Sequence, residues 1–344
     1  MENDIAQLAT QKQSLDYLLY INPVNFAEEK ERFFTALKTG SEYHPQYTYQ
    51  ATQSLFEEEE TWLTNAARRH TAEVGAESAM INWEIADQQK RLHFIRSIGS
   101  EKVCAAAQDL FGGIDEVTKR EAETVAKRVD SMFPGEHSAR FDQATLLQRC
   151  EAFFSEHGFN EWQAEINIPG APSVCRVNER KVLFQDQPHY SEAMTEILLA
   201  HEVLGHAQQE EAARQQDNPL FLSGFGLYEV LHEGFALQQE SKVNERLLLR
   251  IALYYLAVAK AEESSLYDTY HYIRAWLPES EAYVLASRVK RGLVDTEMPG
   301  TWYKDKVYLE GYLAMQHLSV EDQALVARAK FDVRQLDVVR QLES

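Results

Sequence analysis

The sequence predicts a mainly α-helical fold with a small β-sheet and a helical N-terminal half. Apolar residues recur with helical spacing along most of the chain. β-branched and aromatic residues concentrate instead in one stretch, 163–185, which interrupts the helical pattern. Hydrophobic residues make up 44% and charged residues 26% of the 344 positions, a balance that is typical of a globular protein and not of a disordered one.

Helical periodicity is readable before residue 160 and again after residue 190. Asn25 and Ser191 are typical N-cap residues, and each precedes a periodic segment. The predicted helices cover 4–20, 25–38, 50–70, 73–98, 101–111, 115–132, 140–157, 191–214, 227–262, 263–277, 279–291, 305–317 and 320–342. A soft boundary near 158–163 separates a helical N-terminal region, 1–160, from a second region, 161–344, and we expect the two to form one compact unit.

The β-rich stretch contains two candidate strands. Residues 164–168 and 174–184 favour extended structure, and Pro169–Gly170 between them predicts a turn. An exposed sheet edge can bind an extended peptide as an additional strand. This predicted sheet directly precedes the helix that begins after Ser191, so we expect one of its edges to lie beside that helix.

Two short motifs carry the chemistry, HEVLGH at 201–206 and HEGFA at 232–236. A catalytic zinc ion commonly takes two His and one Glu as ligands and keeps one position for water. His201, His206 and Glu233 are therefore the candidate Zn²⁺ ligands. Glu202 directly follows the first histidine and is the candidate general base that accepts a proton from water. This set predicts zincin-like metallopeptidase chemistry in the region 161–344.

HEVLGH has one residue more than the familiar HExxH. In a regular helix, positions i and i+5 lie roughly 140° apart around the axis, so the two histidines could not share a metal. A single π-turn would absorb the extra residue, and Gly205 lowers the cost of that distortion. We expect a π-bulge between Val203 and His206. The alternative is an ordinary amphipathic helix that carries two unrelated histidines.

The second motif predicts a helix over 228–240, because its apolar residues fall on one broad face. Pro219, Gly224 and Gly226 predict a loop between the two motif helices. The second helix would then return Glu233 to the histidines. His232 is a rival ligand, but it points about 100° away from Glu233 on the same helix.

With these motifs the sequence resembles the tyrosine carboxypeptidase-like metallopeptidases, a family that includes the microtubule-associated tyrosine carboxypeptidases. That family carries HExxxH followed by a QEGLA-type motif. The likeness covers nearly the whole chain. Segments that resemble further family motifs are INPVN at 21–25, PQYTY at 45–49, SRVKRG at 287–292 and WYKDKVYLEG at 302–311. The chain departs from the family pattern at His232, Phe235, Lys290 and Trp302.

The resemblance implies a zinc-dependent carboxypeptidase that removes a C-terminal Tyr or Phe from a peptide or protein. It also makes Tyr308 the candidate for stabilising the oxyanion. A carboxypeptidase needs cations that bind the substrate's terminal carboxylate. Residues 286–306 hold five cations against three carboxylates in an otherwise acidic chain, and Arg288, Arg291 and Lys304 are the candidates.

Two other functions stay open from the sequence. HEVLGH also resembles the HELLGH of dipeptidyl peptidase III, so an aminopeptidase-type or dipeptidyl-peptidase-type zinc enzyme is one alternative. A non-catalytic, metal-binding regulatory protein is the other. An intact Glu202 favours catalysis, since a site that only binds has no need of a base.

Charge and cysteine content indicate the surroundings in which the protein works. A formal net charge of −20 argues against nucleic acids and anionic membrane surfaces as partners. The N-terminus lacks the pattern of a signal peptide, and the most apolar segment, 247–261, is too short to span a bilayer. Cys104, Cys150 and Cys175 match neither a disulfide framework nor a zinc knuckle, so we expect a cytoplasmic protein.

Overall fold

The computed structural model describes residues 2–70, 74–128, 139–168, 173–176, 179–244 and 246–343. Within these ranges the protein is mainly helical, as predicted, and it carries two small sheets where one was predicted. The helices before residue 160 are α1 Glu2–Ser14, α2 Phe26–Lys38, α3 Glu57–His70, α4 Ala76–Ser97, α5 Val103–Phe111, α6 Glu116–Arg128 and α7 Gln143–Glu156. The predicted helix 4–20 ends at Ser14, and a 3₁₀ turn, Tyr17–Leu19, follows it.

The helices after residue 190 are α8 Glu192–His201, α9 Gln208–Ala213, α10 Pro219–Ser223, α11 Glu229–Glu240, α12 Leu247–Glu263, α13 Leu266–Ile273, α14 Glu279–Val289, α15 Val307–His317, α16 Val320–Val326 and α17 Leu336–Leu342. A π-turn, Glu202–Ala207, joins α8 to α9. Two 3₁₀ turns, Lys304–Lys306 and Val333–Gln335, precede α15 and α17.

Two predictions about this half were wrong in detail. The predicted loop between the motif helices contains the short helix α10, because the Asn218 side chain accepts the Leu220 N–H and Pro219 occupies the first turn. The predicted single helix 227–262 is two helices. At the break, the Asn244 side-chain oxygen accepts the N–H of Arg246, which turns the chain before α12 begins.

A three-stranded sheet lies beside the π-turn. Its strands are β2 Gln163–Ile166, β3 Val174–Arg176 and β4 Lys181–Phe184, in the order β2-β4-β3. Strand β4 is parallel to β2 and antiparallel to β3, so the predicted strand 174–184 is in fact two. The predicted turn at Pro169–Gly170 lies outside the described residues. Strands β1 Arg140–Phe141 and β5 Tyr190–Ser191 form a separate antiparallel pair.

The sheet and the π-turn share one hydrophobic cluster. Val182 and Phe184 of β4 pack in this cluster with Leu199, Val203 and Ala207, and all five side chains are buried. The edge strand β3 lies close to the π-turn, since the Cys175 thiol is 3.8 Å from the backbone oxygen of Glu202. The expected sheet edge beside the motif helix is therefore present.

The largest core surrounds α12, which is buried on most of its circumference. This core also contains residues of α4, α5, α14 and α15. Just outside it, the ammonium of Lys290 is fully buried and donates to the carbonyls of Ala261, Ser264 and Met298 at 3.0, 2.5 and 2.8 Å. Lys290 thus joins the end of α14 to the C-terminal end of α12 and to the loop that contains Met298.

A buried ion network joins the N-terminal helices to α11. Arg91 on α4 donates to Asp87 on the same helix and to Glu229 on α11, at 2.6 and 2.8 Å. Lys12 on α1 pairs with Glu84 and Asp87. Burial would raise the pKa of Asp87, but Arg91 and Lys12 outweigh it and lower that pKa to about 2. None of the described helices is long and apolar enough to cross a membrane.

Candidate metal centre

The helix that carries HEVLGH contains the expected π-turn. Residues Glu202–Ala207 form a π-helical segment between α8 and α9. The extra residue is absorbed there, and the rings of His201 and His206 come to face the same region, with centroids 4.8 Å apart. The prediction of a π-bulge is confirmed. An unbroken amphipathic helix with diverging histidines is excluded.

Gly205 is required for close helix packing, in addition to lowering the cost of the π-turn. A Cβ atom at this position would lie 2.5 Å from the Cα and 2.6 Å from the Cβ of Ala236 on α11. The π-turn and α11 therefore cross with their backbones in close contact, which only a glycine allows. This crossing sets the distance between the histidines and the helix that carries Glu233.

The three candidate ligands meet at this crossing. Oε2 of Glu233 lies 3.6 Å from Nε2 of His201 and 3.7 Å from Nε2 of His206. One ligand atom from each residue lies within 4.8 Å of the others. Ligand atoms about 2.1 Å from a tetrahedral metal are roughly 3.4 Å apart. The donor set, its chemistry and its spacing therefore fit a metal ion that is bound by two imidazoles and one carboxylate.

Behind His201 lies a buried carboxylate that the sequence analysis did not identify. Oε2 of Glu240 is 3.0 Å from Nδ1 of His201. Burial disfavours the charged imidazole, but the carboxylates of Glu233 and Glu240 outweigh that effect and raise the His201 pKa to about 9. Glu240 follows Glu233 by seven residues, about two helical turns, so both face the same side of α11. That spacing was a readable signal in the sequence.

Glu233 divides its two oxygens between different partners. Oε2 faces the histidines, and Oε1 accepts from the Lys304 ammonium at 2.8 Å. Burial would raise the pKa of Glu233, but Lys304 and the two histidines hold it well below its usual range. The Lys304 ammonium also donates to the hydroxyl of Tyr308 at 3.1 Å. Lys304 is thus bound to a candidate metal ligand.

Glu202 lies directly beside the candidate ligands and is half-buried. Among the residues that the structure describes, its carboxylate has no hydrogen-bond or ion-pair partner. A carboxylate beside a metal position is placed to act as a general base.

The other two predicted cations differ in their surroundings. Arg288 donates to Asp305 through Nε and Nη2, at 2.7–3.0 Å, and to the Tyr308 hydroxyl at 3.2 Å. Its guanidinium lies 5.2 Å from the ring centre of Tyr254. The guanidinium of Arg291 lies 5.8 Å from the ring centre of Trp302. Arg288 and Lys304 therefore both donate to the Tyr308 hydroxyl, whereas Arg291 lies over the ring of Trp302.

The rival ligand His232 points elsewhere. Its ring stacks on His206 with centroids 4.0 Å apart, and its Nδ1–H donates to the side-chain oxygen of Gln209. Burial lowers the pKa of His232 well below its usual value, which favours the uncharged ring. His232 therefore packs against the ring of His206 and is not one of the three candidate ligands. A polar cavity of about 370 Å³ lies on this side, lined by His232, Glu233 and Lys304 among others.

Residues 31–338 match the family described as microtubule-associated tyrosine carboxypeptidase. The chain belongs to this family. The matched residues include every segment between residues 45 and 311 that resembles a family motif. They also include the π-turn and helix α11, which carries Glu233. No curated protein sequence matches the chain significantly.

Proposed function

We propose that this protein is a zinc-dependent carboxypeptidase that removes a C-terminal Tyr or Phe from peptides or proteins. The proposal rests mainly on the π-turn, because this turn brings His201 and His206 to within 3.7 Å of one oxygen of Glu233. The name of the family supports the reaction and the aromatic specificity. The available carboxylate of Glu202 favours an enzyme over a protein that only binds metal.

In this proposal His201, His206 and Glu233 hold Zn²⁺, which supplies a Lewis acid that polarises the scissile carbonyl and acidifies water. Glu202 accepts a proton from the attacking water. It then delivers that proton to the leaving amine as the C–N bond breaks.

Tyr308 is proposed to stabilise the oxyanion. Its hydroxyl oxygen accepts hydrogen bonds from Arg288 and Lys304, at 3.2 and 3.1 Å. The hydroxyl proton therefore stays available for donation to a developing negative charge. The two cations also draw electron density from the phenol oxygen, which strengthens that donation.

Arg288 fits the substrate carboxylate best among the three predicted cations. Its side chain is 28% exposed, and Nη1 has no partner in the described part of the chain. The ammonium of Lys304 is buried and bound to Glu233, and Arg291 lies against Trp302. The half-exposed rings around Arg288, those of Tyr254 and Tyr308, support an aromatic residue in the same subsite.

The protein is further proposed to act in the cytoplasm on peptide or protein C-termini. Cys104, Cys150 and Cys175 are all free, which supports a reducing compartment. Neither nucleic acids nor membranes are proposed as partners, given the net charge of −20.

The test combines metal analysis with matched peptides. We expect one zinc per chain, and release of a terminal Tyr or Phe from peptides with a free C-terminus but not from their amidated forms. Glu202→Gln should lower kcat by about 10²–10⁴-fold while the metal content stays the same. Equal cleavage of free and amidated peptides would show an endopeptidase or aminopeptidase, and blocking the N-terminus distinguishes these two. Zinc binding without cleavage of any peptide would favour a regulatory protein.

A further inference from the structure

We infer that Glu240 is a positioning residue of the metal centre, which orients His201 from the side opposite the metal. The inference rests on the proposed metal site. The Glu240 side chain is fully buried, and its Oε2 contacts Nδ1 of His201 at 3.0 Å. A buried carboxylate is costly unless it is paired, so a carboxylate at this place needs a partner that holds it there.

Two further donors fix the Glu240 carboxylate. The amide of Asn244 donates to Oε1 at 2.6 Å, and the guanidinium of Arg250 on α12 donates to Oε2 at 2.6 Å. Both carboxylate oxygens of Glu240 therefore accept a hydrogen bond from a residue that follows α11 in the chain. The carboxylate cannot rotate away from His201 without breaking one of these hydrogen bonds.

The contact selects the tautomer that a metal ligand needs. With Nδ1–H donating to Glu240, the lone pair of His201 lies on Nε2, the atom that faces Oε2 of Glu233. His206 lacks such support, because its Nδ1 is buried without a hydrogen-bond partner in the described ranges. Glu240 therefore acts on one of the two histidines, and its loss should change the centre asymmetrically.

The experiment compares Glu240→Gln with the wild-type protein by chelator competition for Zn²⁺ and by the visible absorption of the Co²⁺-substituted protein. Loss of a carboxylate that supports a ligand histidine typically weakens metal binding by about 10–100-fold. We expect that loss together with altered Co²⁺ bands. Glu29→Gln is the matched control, because Glu29 is an equally buried glutamate whose partners, Arg32, Tyr43 and the Gln46 N–H, lie outside the metal centre. It should change neither measurement.

A double variant separates orientation of His201 from charge balance. Arg250→Met added to Glu240→Gln removes the cation that the first change leaves unpaired. If the double variant regains wild-type zinc affinity, or if Glu240→Gln never loses it, the inference is overturned. Should Glu240→Gln fail to fold, Asn244→Ala takes its place with an expected loss on the order of threefold, and unchanged affinity there overturns the inference too. Absence of metal binding by the wild-type protein would instead refute the proposed function itself.

Discussion

Replacement of Gly205 by alanine should move the two candidate ligand histidines away from Glu233. The added Cβ would lie 2.5 Å from the Cα of Ala236, whereas ordinary contacts begin at 3.4 Å. The π-turn must therefore retreat from α11 by about 0.9 Å. Metal–ligand distances tolerate deviations of only about 0.2 Å. We expect Gly205→Ala to weaken zinc binding by at least about tenfold, and overpacking to cost about 1–3 kcal/mol of unfolding free energy.

Zinc affinity by chelator competition and unfolding by denaturant measure the two effects. Gly113→Ala is the control, because a Cβ there meets only the end of the flexible Gln108 side chain, at 3.1 Å. Adding Ala236→Gly to Gly205→Ala removes the contact with Cβ at 2.6 Å but not the one with Cα. The double variant should therefore regain only a part of the lost zinc affinity and stability. Wild-type zinc affinity in Gly205→Ala would refute the conclusion that this crossing sets the ligand spacing.

Three further predictions follow from individual contacts. Glu233→Ala should release the zinc and His232→Gln should retain it, as measured by elemental analysis, since only the first side chain faces both histidines. Lys290→Met should lower the unfolding free energy by at least about 2 kcal/mol, because it removes three hydrogen bonds from a buried ammonium to the carbonyls of Ala261, Ser264 and Met298. The lowered pKa of Asp87 means that its ion pairs stabilise the fold above about pH 4 and are lost as the pH falls towards about 2. The difference in unfolding free energy between wild type and Asp87→Asn should therefore narrow over that interval, and a constant difference would contradict the assignment.

Apart from the return of Glu233 to the histidines, which the metal-ligand motif predicted, the features that the sequence predicted correctly depend on neighbours along the chain. Helical periodicity is local, and so is the mismatch between the five-residue spacing of His201 and His206 and the helical repeat. That mismatch alone required a π-turn if the two were to share a metal, and the structure contains one. The break before α12 was missed because helical residues precede and follow it, and the turn depends on one hydrogen bond in which the Asn244 side-chain oxygen accepts the Arg246 N–H.

The further partners of the site residues could not be predicted, because each lies on a different helix or turn from the residue it meets. Lys304 was expected to bind a substrate carboxylate on the basis of charge alone. In the fold, α15 packs against α11 and brings the 3₁₀ turn of Lys304 to Glu233, 71 residues away in sequence. Arg250 on α12 meets Glu240 at the end of α11, and the spacing of the two residues along the chain does not indicate that contact. Charge patterns identify cations, but only helix packing decides which carboxylate each one meets.

Helix α11 derives its position from close backbone crossings on two sides. On one side Gly205 of the π-turn contacts Ala236, and on the other a Cβ at Gly311 of α15 would lie 2.0 Å from the backbone oxygen of Val230. Gly234, next to Glu233, would meet the Gly311 carbonyl at 2.4 Å if it carried a Cβ. Glycines in three separate motifs thus hold one helix between two backbones. Because α15 also carries Tyr308, the same contacts that bring Glu233 to the histidines fix the distance from the candidate metal position to the proposed oxyanion donor.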